Sequence, residues 1–250
     1  MKIRADLHTH SVASGHAYST IDELTKAARR RGLKMLAVTD HAPGMPDGPH
    51  EYYFYNTRVW PEYLNGVRLL KGAEVDIIAP NGGLDLPTAL LASLDVVIAS
   101  AHAAVSPENL SIEKNTAMYL KVIQNPHVDI LGHIENPLLK LNYPVVIKAA
   151  QARGKLVEIN NASFTVARHG SYSNCLEIMR ILREENMPCV INSDAHIAGL
   201  VGEVGKALQI ALEQGIKKEN ILNLDAGRTA KHLKINTQKT ADKLHRMVPL

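Results

Sequence analysis

Short apolar runs and amphipathic stretches alternate about seven times along the chain. The apolar runs are rich in valine, isoleucine and leucine, and runs of this length are typical of buried β-strands. We therefore predict strands at Ile3–His8, Met35–Thr39, Val67–Val75, Val96–Ser100, Val128–Leu131, Leu156–Asn160 and Cys189–Asn192.

The amphipathic stretches between these runs carry helix start and stop signals. Thr20 and Glu23 have the spacing of a capping box, and Gly32 marks the end of the same predicted helix. Pro144 and Gly154 bracket another predicted helix in the same sense. The pattern thus places helices between strands that run in parallel.

Strands and helices that alternate without an internal linker predict one parallel α/β domain over residues 1–250, built as a barrel. An open doubly wound sheet is the alternative. No glycine-rich phosphate loop follows the first strand, so a Rossmann or P-loop fold has little support. We interpret the polar, basic tail from Arg228 to Leu250 as a surface appendage.

The composition narrows the class of protein. The chain is 46% hydrophobic and 21% charged, which is ordinary for a globular protein, and its net charge of +3 is too small to indicate a nucleic-acid partner. The two cysteines are too few for a disulfide framework. The first residues contain no signal-like apolar segment, and no apolar run approaches the ~20 residues of a membrane span. We expect a cytoplasmic protein without a membrane partner.

Metal-binding residue types stand at or just after the ends of six of the seven predicted strands. The carboxyl ends of parallel barrel strands meet on one face, which is where barrel enzymes carry out their chemistry. Imidazole and carboxylate ligands suit Zn²⁺, Fe or Mn²⁺ better than Ca²⁺. The set exceeds the roughly four ligands of one tetrahedral site, so we expect more than one ion. Its members are His8, His10, His16, His41, Glu74, His102, His133, Asp194 and His196.

The sixth predicted strand is interpreted differently, because it ends in the amides and hydroxyl of EINNAS. Its loop carries Arg168, and arginine forms bidentate pairs with phosphate oxygens, so we assign this loop to the substrate. A surface salt bridge is the alternative for Arg168. Asp6 and Asp40 are candidates to orient ligand histidines, with strand-end capping or simple solvation as the alternatives.

The segment 42–66 is long for a connection and holds six of the eleven aromatic residues. Connections of this length are usually functional or disordered, and the aromatic content argues against disorder. A lid over the site, a subunit contact and packing against the barrel rim all remain open.

The ordered motifs resemble one known family. DLHTHS, VTDH, the glutamate of KGAEVDI, ASAH, LGHIENP and NSDAH together resemble the PHP family, named for polymerase and histidinol phosphatase, and in particular its small stand-alone phosphatases of the YcdX type. The resemblance implies a distorted (β/α)7 TIM-like barrel with a trinuclear metal centre, commonly of zinc, with Mn²⁺ or Fe as alternatives. It also implies a homo-oligomer, such as a trimer.

The resemblance also implies a partition of the ligands. His8, His10, Glu74 and Asp194 would hold a first metal. Glu74 would bridge to a second, completed by His102 and His133. The third metal would bind the remaining set, which is His16, His41 and His196.

The expected reaction is hydrolysis of a small phosphomonoester by a metal-activated water, with Glu74, Asp194 and Arg168 as catalytic residues. One alternative is an amidohydrolase, which typically bridges two metals with a carboxylated lysine, whereas Glu74 occupies the bridging position here. A nuclease of the kind attached to polymerases and a non-catalytic metal-binding module also remain open.

Overall fold

The computed structural model describes residues 1–108 and 110–235. Within these residues, eight strands form one sheet. Seven of the strands are parallel, and the short β3 pairs antiparallel with β4. The strands are β1 (Ala5–Asp6), β2 (Met35–Val38), β3 (Tyr63–Leu64), β4 (Val67–Asp76), β5 (Val96–Ser100), β6 (Ile130–Leu131), β7 (Leu156–Asn160) and β8 (Cys189–Asn192).

The seven parallel strands follow the order β1-β2-β4-β5-β6-β7-β8 and form a nearly closed barrel. Side chains and single backbone contacts connect β8 to β1 instead of a regular ladder. The Leu7 amide donates to Asn192 Oδ1 at 3.1 Å, and the Asp194 amide donates to the His8 carbonyl at 3.0 Å. The prediction of a (β/α) barrel, and not an open sheet, is therefore confirmed.

The predicted helix signals act where expected. The Thr20 side chain and Glu23 form a reciprocal capping box, and Gly32 ends the helix in the left-handed conformation. The Asn142 side chain caps the helix that begins next to Pro144. The helices are α1 (Ile21–Arg31), α2 (Glu51–Asn56), α3 (Thr88–Leu91), α4 (Ile112–Gln124), α5 (Tyr143–Ala152), α6 (Tyr172–Glu184), α7 (Gly205–Glu213) and α8 (Ala226–His232).

The strand β3 was not predicted from the sequence. Asn65 and Gly66, both with positive φ, form a two-residue turn between β3 and β4. An Asn-Gly pair is the strongest short hairpin signal, so the sequence carried the information. The first and fifth predicted strands are shorter than predicted, at two residues each.

The amino end of the barrel interior is apolar and closed by the region after β8. Leu222, Leu233 and Ile235 pack there against strand residues such as Leu70 and Ile130. The interpretation of the tail as a surface appendage is therefore wrong for residues 228–235, because α8 and the residues after it bury apolar side chains. The remainder of that tail, 236–250, lies outside the described residues.

Candidate metal centre

All the residues predicted to bind metal lie together at the carboxyl end of the barrel. The strands deliver them as the period-two pattern requires, because Glu74 follows Leu70 and Gly72 in the inward row of β4. Most of these side chains are buried, whereas His16, His102 and His196 are partly exposed.

Glu74 lies at the centre of this group. Its Oε2 atom is 3.0 Å from His41 Nδ1, 3.3 Å from His8 Nε2 and 3.5 Å from His10 Nε2. Its Oε1 atom is 2.8 Å from His133 Nε2 and 3.6 Å from His102 Nε2. The Ser100 hydroxyl donates to the same Oε1 at 2.6 Å, so one carboxylate faces two separate sets of imidazoles.

Asp194 divides its two oxygens in a similar way. Oδ1 lies 3.3 Å from His10 Nε2 and 3.5 Å from His8 Nε2. Oδ2 accepts hydrogen bonds from Arg168 Nη2 at 3.0 Å and Asn160 Nδ2 at 3.1 Å. The side chain is thus held from behind while one oxygen is directed towards the histidines.

His16 and His196 form the outer part of the site. Their Nε2 atoms lie 3.1 Å apart, and the His196 ring also stacks on His10 with centroids 4.3 Å apart. Two nitrogens bound to one tetrahedral zinc ion stand about 3.3 Å apart, given Zn–N bonds of about 2.0–2.1 Å. The separation of the His16 and His196 nitrogens suits a pair of ligands to one ion.

The donor set fits divalent metal ions. The buried His8 Nε2, His10 Nε2 and His41 Nδ1 atoms have no hydrogen-bond partner, and such an atom costs about 1–3 kcal/mol unless something binds it. Potential ligand atoms lie within 4.8 Å of one another in three overlapping groups. These groups are His8, His10 and Asp194; His10, His41 and His196; and His41, Glu74 and His102.

The electrostatics of the buried centre also favour cations. Burial alone would raise the pKa of the Glu74 carboxyl, but the neighbouring imidazoles, His8 foremost, hold it well below its ordinary value. Burial lowers the pKa of His8, yet Glu158 and other carboxylates raise it well above its ordinary value. Ionised carboxylates therefore surround His8 in a space that excludes water, and positive charge is stabilised there.

Three carboxylates form hydrogen bonds with predicted ligand histidines from the side away from the centre. Glu158 Oε1 lies 2.8 Å from His8 Nδ1, Asp76 Oδ1 is 2.7 Å from His102 Nδ1, and Asp47 Oδ2 is 2.7 Å from His16 Nδ1. Such partners fix the ring orientation of metal-binding histidines. None of the three was predicted from the sequence, although Glu158 is recognisable as an acidic residue in the inward row of a buried strand.

Neither of the two candidate carboxylates, Asp6 and Asp40, forms a direct hydrogen bond to a predicted ligand histidine. The Asp6 carboxylate accepts hydrogen bonds from Ser193 and the Gly202 amide, so it connects loops. Asp40 accepts from Ser14 Oγ at 2.6 Å, and that hydroxyl lies 3.3 Å from His10 Nδ1. Asp40 therefore reaches His10 only through Ser14.

The aromatic segment 42–66 packs beside the site through part of its aromatic residues. Phe54 is buried in the core, and Trp60 contacts the Tyr53 ring edge to face with centroids 6.0 Å apart. The Tyr53 hydroxyl donates to Asp40 Oδ2. Tyr52 and Tyr63 are exposed. Packing against the barrel thus accounts for Tyr53, Phe54 and Trp60.

Arg168 lies at the edge of the candidate metal centre, next to Asp194. Its side chain is only 14% exposed and forms an ion pair with Asp194. The ion pair is largely shielded from solvent, since the Asp194 side chain is 8% exposed, and it is therefore not an exposed surface salt bridge.

Comparison with known proteins identifies the family. The model of the PHP domain matches residues 6–169, and the chain therefore belongs to the PHP family. The predicted resemblance is confirmed. Among the part of the chain that the structure describes, no helix has the length and apolar character needed to cross a membrane.

Relatives with curated names support a narrower class. A probable phosphatase of Thermoanaerobacter sp. (strain X514) is 42% identical over 239 residues, covering 96% of this chain and 98% of its own. A probable phosphatase of Clostridium novyi (strain NT) is 43% identical over 235 residues, covering 94% and 96%. Histidinol phosphate phosphatase of Lactococcus lactis, crystallised with zinc, L-histidinol and phosphate, has the same fold, with a TM-score of 0.62 and 18% identity over 86% of this chain and 94% of its own.

Proposed function

We propose that this protein is a metal-dependent phosphatase that hydrolyses phosphomonoesters of small molecules at a centre of three divalent metal ions. The observation that carries the proposal is the arrangement around Glu74, where imidazoles from several strand ends converge on the two carboxylate oxygens. Two of the converging nitrogens, His8 Nε2 and His41 Nδ1, have no hydrogen-bond partner. Membership of the PHP family and the names of the curated relatives support it.

The proposed ligands follow the partition that the family pattern implies. His8, His10, Glu74 and Asp194 hold one ion, and Glu74 shares a second with His102 and His133. His16, His41 and His196 hold the third. The Nε2 atoms of His102 and His133 lie 3.1 Å apart, as do those of His16 and His196, which supports treating each pair as ligands of one ion. Zinc is the first choice, because it suits imidazole and is present in the Lactococcus lactis neighbour.

The bound ions would supply the positive charge that stabilises a phosphoryl group in transfer and would lower the pKa of water towards about 7. The side chains around the ions supply fixed charges at defined positions. Glu74 and Asp194 are buried, so their charges act in a medium of low dielectric constant. Arg168 adds a permanent cation beside Asp194, where it binds a phosphoryl oxygen of the substrate.

Metal quantification combined with a phosphate-release screen tests the proposal. The screen covers sugar phosphates, nucleotides and amino-alcohol phosphates, including L-histidinol phosphate. We expect three ions per subunit and phosphate release that chelation abolishes. Glu74→Gln is expected to lower kcat/KM by at least about 1,000-fold, since metal charge stabilisation is worth several kcal/mol. The exposed Glu219→Gln variant is the matched control and retains activity.

Other outcomes would replace the proposal. A fully metallated protein that hydrolyses no phosphate ester would contradict it. Two ions with cleavage of amides would indicate an amidohydrolase, and release of nucleotides from single-stranded DNA exceeding turnover of small esters would indicate a nuclease.

We also propose a cytoplasmic location and assembly into a homo-oligomer such as a trimer. The buried, unpaired Cys175 and Cys189 thiols suit a reducing compartment. Light scattering after size-exclusion chromatography measures the assembly, and a monomer at all concentrations would contradict that part of the proposal.

A further inference from the structure

The loop after β7 holds Arg168 in an unusual backbone conformation. Arg168 has a φ of 50°, in the left-handed region that residues other than glycine rarely adopt. The Val166 and Ala167 amides both donate to the Ala162 carbonyl, at 3.0 and 2.9 Å, and the Ser171 amide donates to the Arg168 carbonyl at 3.1 Å. These backbone hydrogen bonds therefore fix the position of the Arg168 backbone, from which the side chain extends.

The guanidinium group is fixed at two of its three nitrogens. Nε donates to Ser163 Oγ at 2.7 Å, and Nη2 donates to Asp194 Oδ2 at 3.0 Å. Nη1 donates to no group within the described residues. An arginine that uses one nitrogen for a serine and another for a carboxylate has its remaining donors directed away from both. Nη1 is therefore the nitrogen left for a ligand.

A buried glutamate lies behind the serine. The Ser163 hydroxyl donates to Glu135 Oε1, and Glu135 is only 2% exposed. A serine hydroxyl has one hydrogen to donate, so Ser163 can only accept from Arg168 once it donates to Glu135. The Arg168 Nε atom stands 3.7 Å from the same Glu135 oxygen, which is too far for a direct hydrogen bond.

We infer that Glu135 and Ser163 are positioning residues that orient Arg168 so that its Nη1 group binds the phosphoryl oxygens of the substrate. This inference rests on the proposed phosphatase function. The serine sets the direction of the guanidinium plane, and the glutamate sets the direction of the serine hydroxyl. The Nη1 group lies in that plane, so a loss of orientation misdirects its charge-assisted hydrogen bond and weakens phosphate binding without removing the positive charge.

A double-mutant cycle tests the inference, with kcat/KM and the calorimetric affinity for inorganic phosphate as readouts. Ser163→Ala is expected to weaken both by about 10-fold, a factor that the loss of one hydrogen bond to a charged group can account for. Ser163→Thr retains the hydroxyl and is expected to restore most of the loss. The same Ser163→Ala change made in an Arg168→Ala protein should produce no further loss, because the two residues act as one unit.

The Glu135→Ala variant completes the experiment, with its melting temperature and metal content measured alongside. It should resemble Ser163→Ala in phosphate affinity, while the exposed Ser173→Ala control remains like wild type. Unchanged phosphate affinity in Ser163→Ala, or an equal loss in the Arg168→Ala background, would overturn the inference. A fully metallated wild-type protein that neither binds phosphate nor cleaves any ester would instead reject the proposed function.

Discussion

The two ends of the barrel interior are built from the same strands but from opposite kinds of side chain. On β5, Val96 and Ile98 belong to the apolar amino end, and Ser100 in the same inward row contacts Glu74. On β7, Leu156 is followed two residues later by Glu158. On both strands the inward-facing side chains thus change from apolar to polar within one or two inward positions. Apolar packing stabilises the amino end of the barrel, and the carboxyl end can hold charged side chains.

The boundary between these two layers is tightly packed. A Cβ atom added to Gly132 would stand 2.3 Å from Ser100 Oγ and 2.7 Å from Ile98 Cγ2. Glycine at this position lets β6 approach β5 closely enough for Ser100 to reach Glu74. The polar carboxyl end therefore also depends on Gly132, a residue without a functional side chain.

The largest effect on stability is expected from the apolar end. Leu233→Ala removes a buried side chain from the cluster that closes the barrel interior, and it should lower the free energy of unfolding by about 2–5 kcal/mol. Metal content and kcat/KM should stay within about twofold of wild type, because the cavity lies in the apolar layer. Denaturant unfolding, metal analysis and kinetics measure these quantities.

The exposed Leu138→Ala variant is the control for this experiment and should unfold like wild type. A loss of metal in Leu233→Ala would show that the two ends are coupled and that their separation into layers is wrong.

A smaller effect on stability is expected at the boundary between the apolar and polar layers. Glu158→Gln replaces the carboxylate that holds His8 Nδ1, and partners of this kind are worth about 10–100-fold in metal affinity. The amide is similar in size, and its oxygen can still accept the two hydrogen bonds that one carboxylate oxygen accepts now, so the melting temperature of the metal-free protein should change less than in Leu233→Ala. Competition with a chelator measures the affinity, and Glu219→Gln is again the matched control.

Unchanged metal affinity in Glu158→Gln would contradict the role of this carboxylate in orienting His8. If the metal-free Glu158→Gln protein no longer folds, Glu158 belongs with the residues that stabilise the barrel, and the boundary between the two layers lies one inward position closer to the carboxyl end.

The sequence was sufficient for the positions of the strands and for the residues at their ends. Apolar runs with period two locate each carboxyl end, and parallel strands bring those ends together, so Glu74 and Asp194 could be expected on one face. It was not sufficient for the contacts that hold those residues. Asn192 bonds Leu7 across 185 positions of chain, and Asp47 reaches His16 from a loop, and neither pairing follows from local pattern.

The smallest effect is expected from Tyr53, which connects the aromatic segment to the polar layer. Tyr53→Phe removes the hydrogen bond to Asp40 and leaves the ring in place. Asp40 still accepts from Ser11 and Ser14, so the loss should be about 0.5–1.5 kcal/mol in stability. Because Ser14 Oγ also contacts His10 Nδ1 and the His41 amide, metal affinity should fall by about 2- to 10-fold.

The neighbouring Tyr52→Phe variant provides a matched control, since that residue is 63% exposed and its hydroxyl forms no hydrogen bond within the described residues. Thermal unfolding and chelator competition on both variants separate the two contributions of Tyr53. Equal behaviour of the two variants would mean that the aromatic segment only covers the barrel. A selective fall in metal affinity for Tyr53→Phe would instead extend the polar layer through Asp40 and Ser14 into residues 42–66.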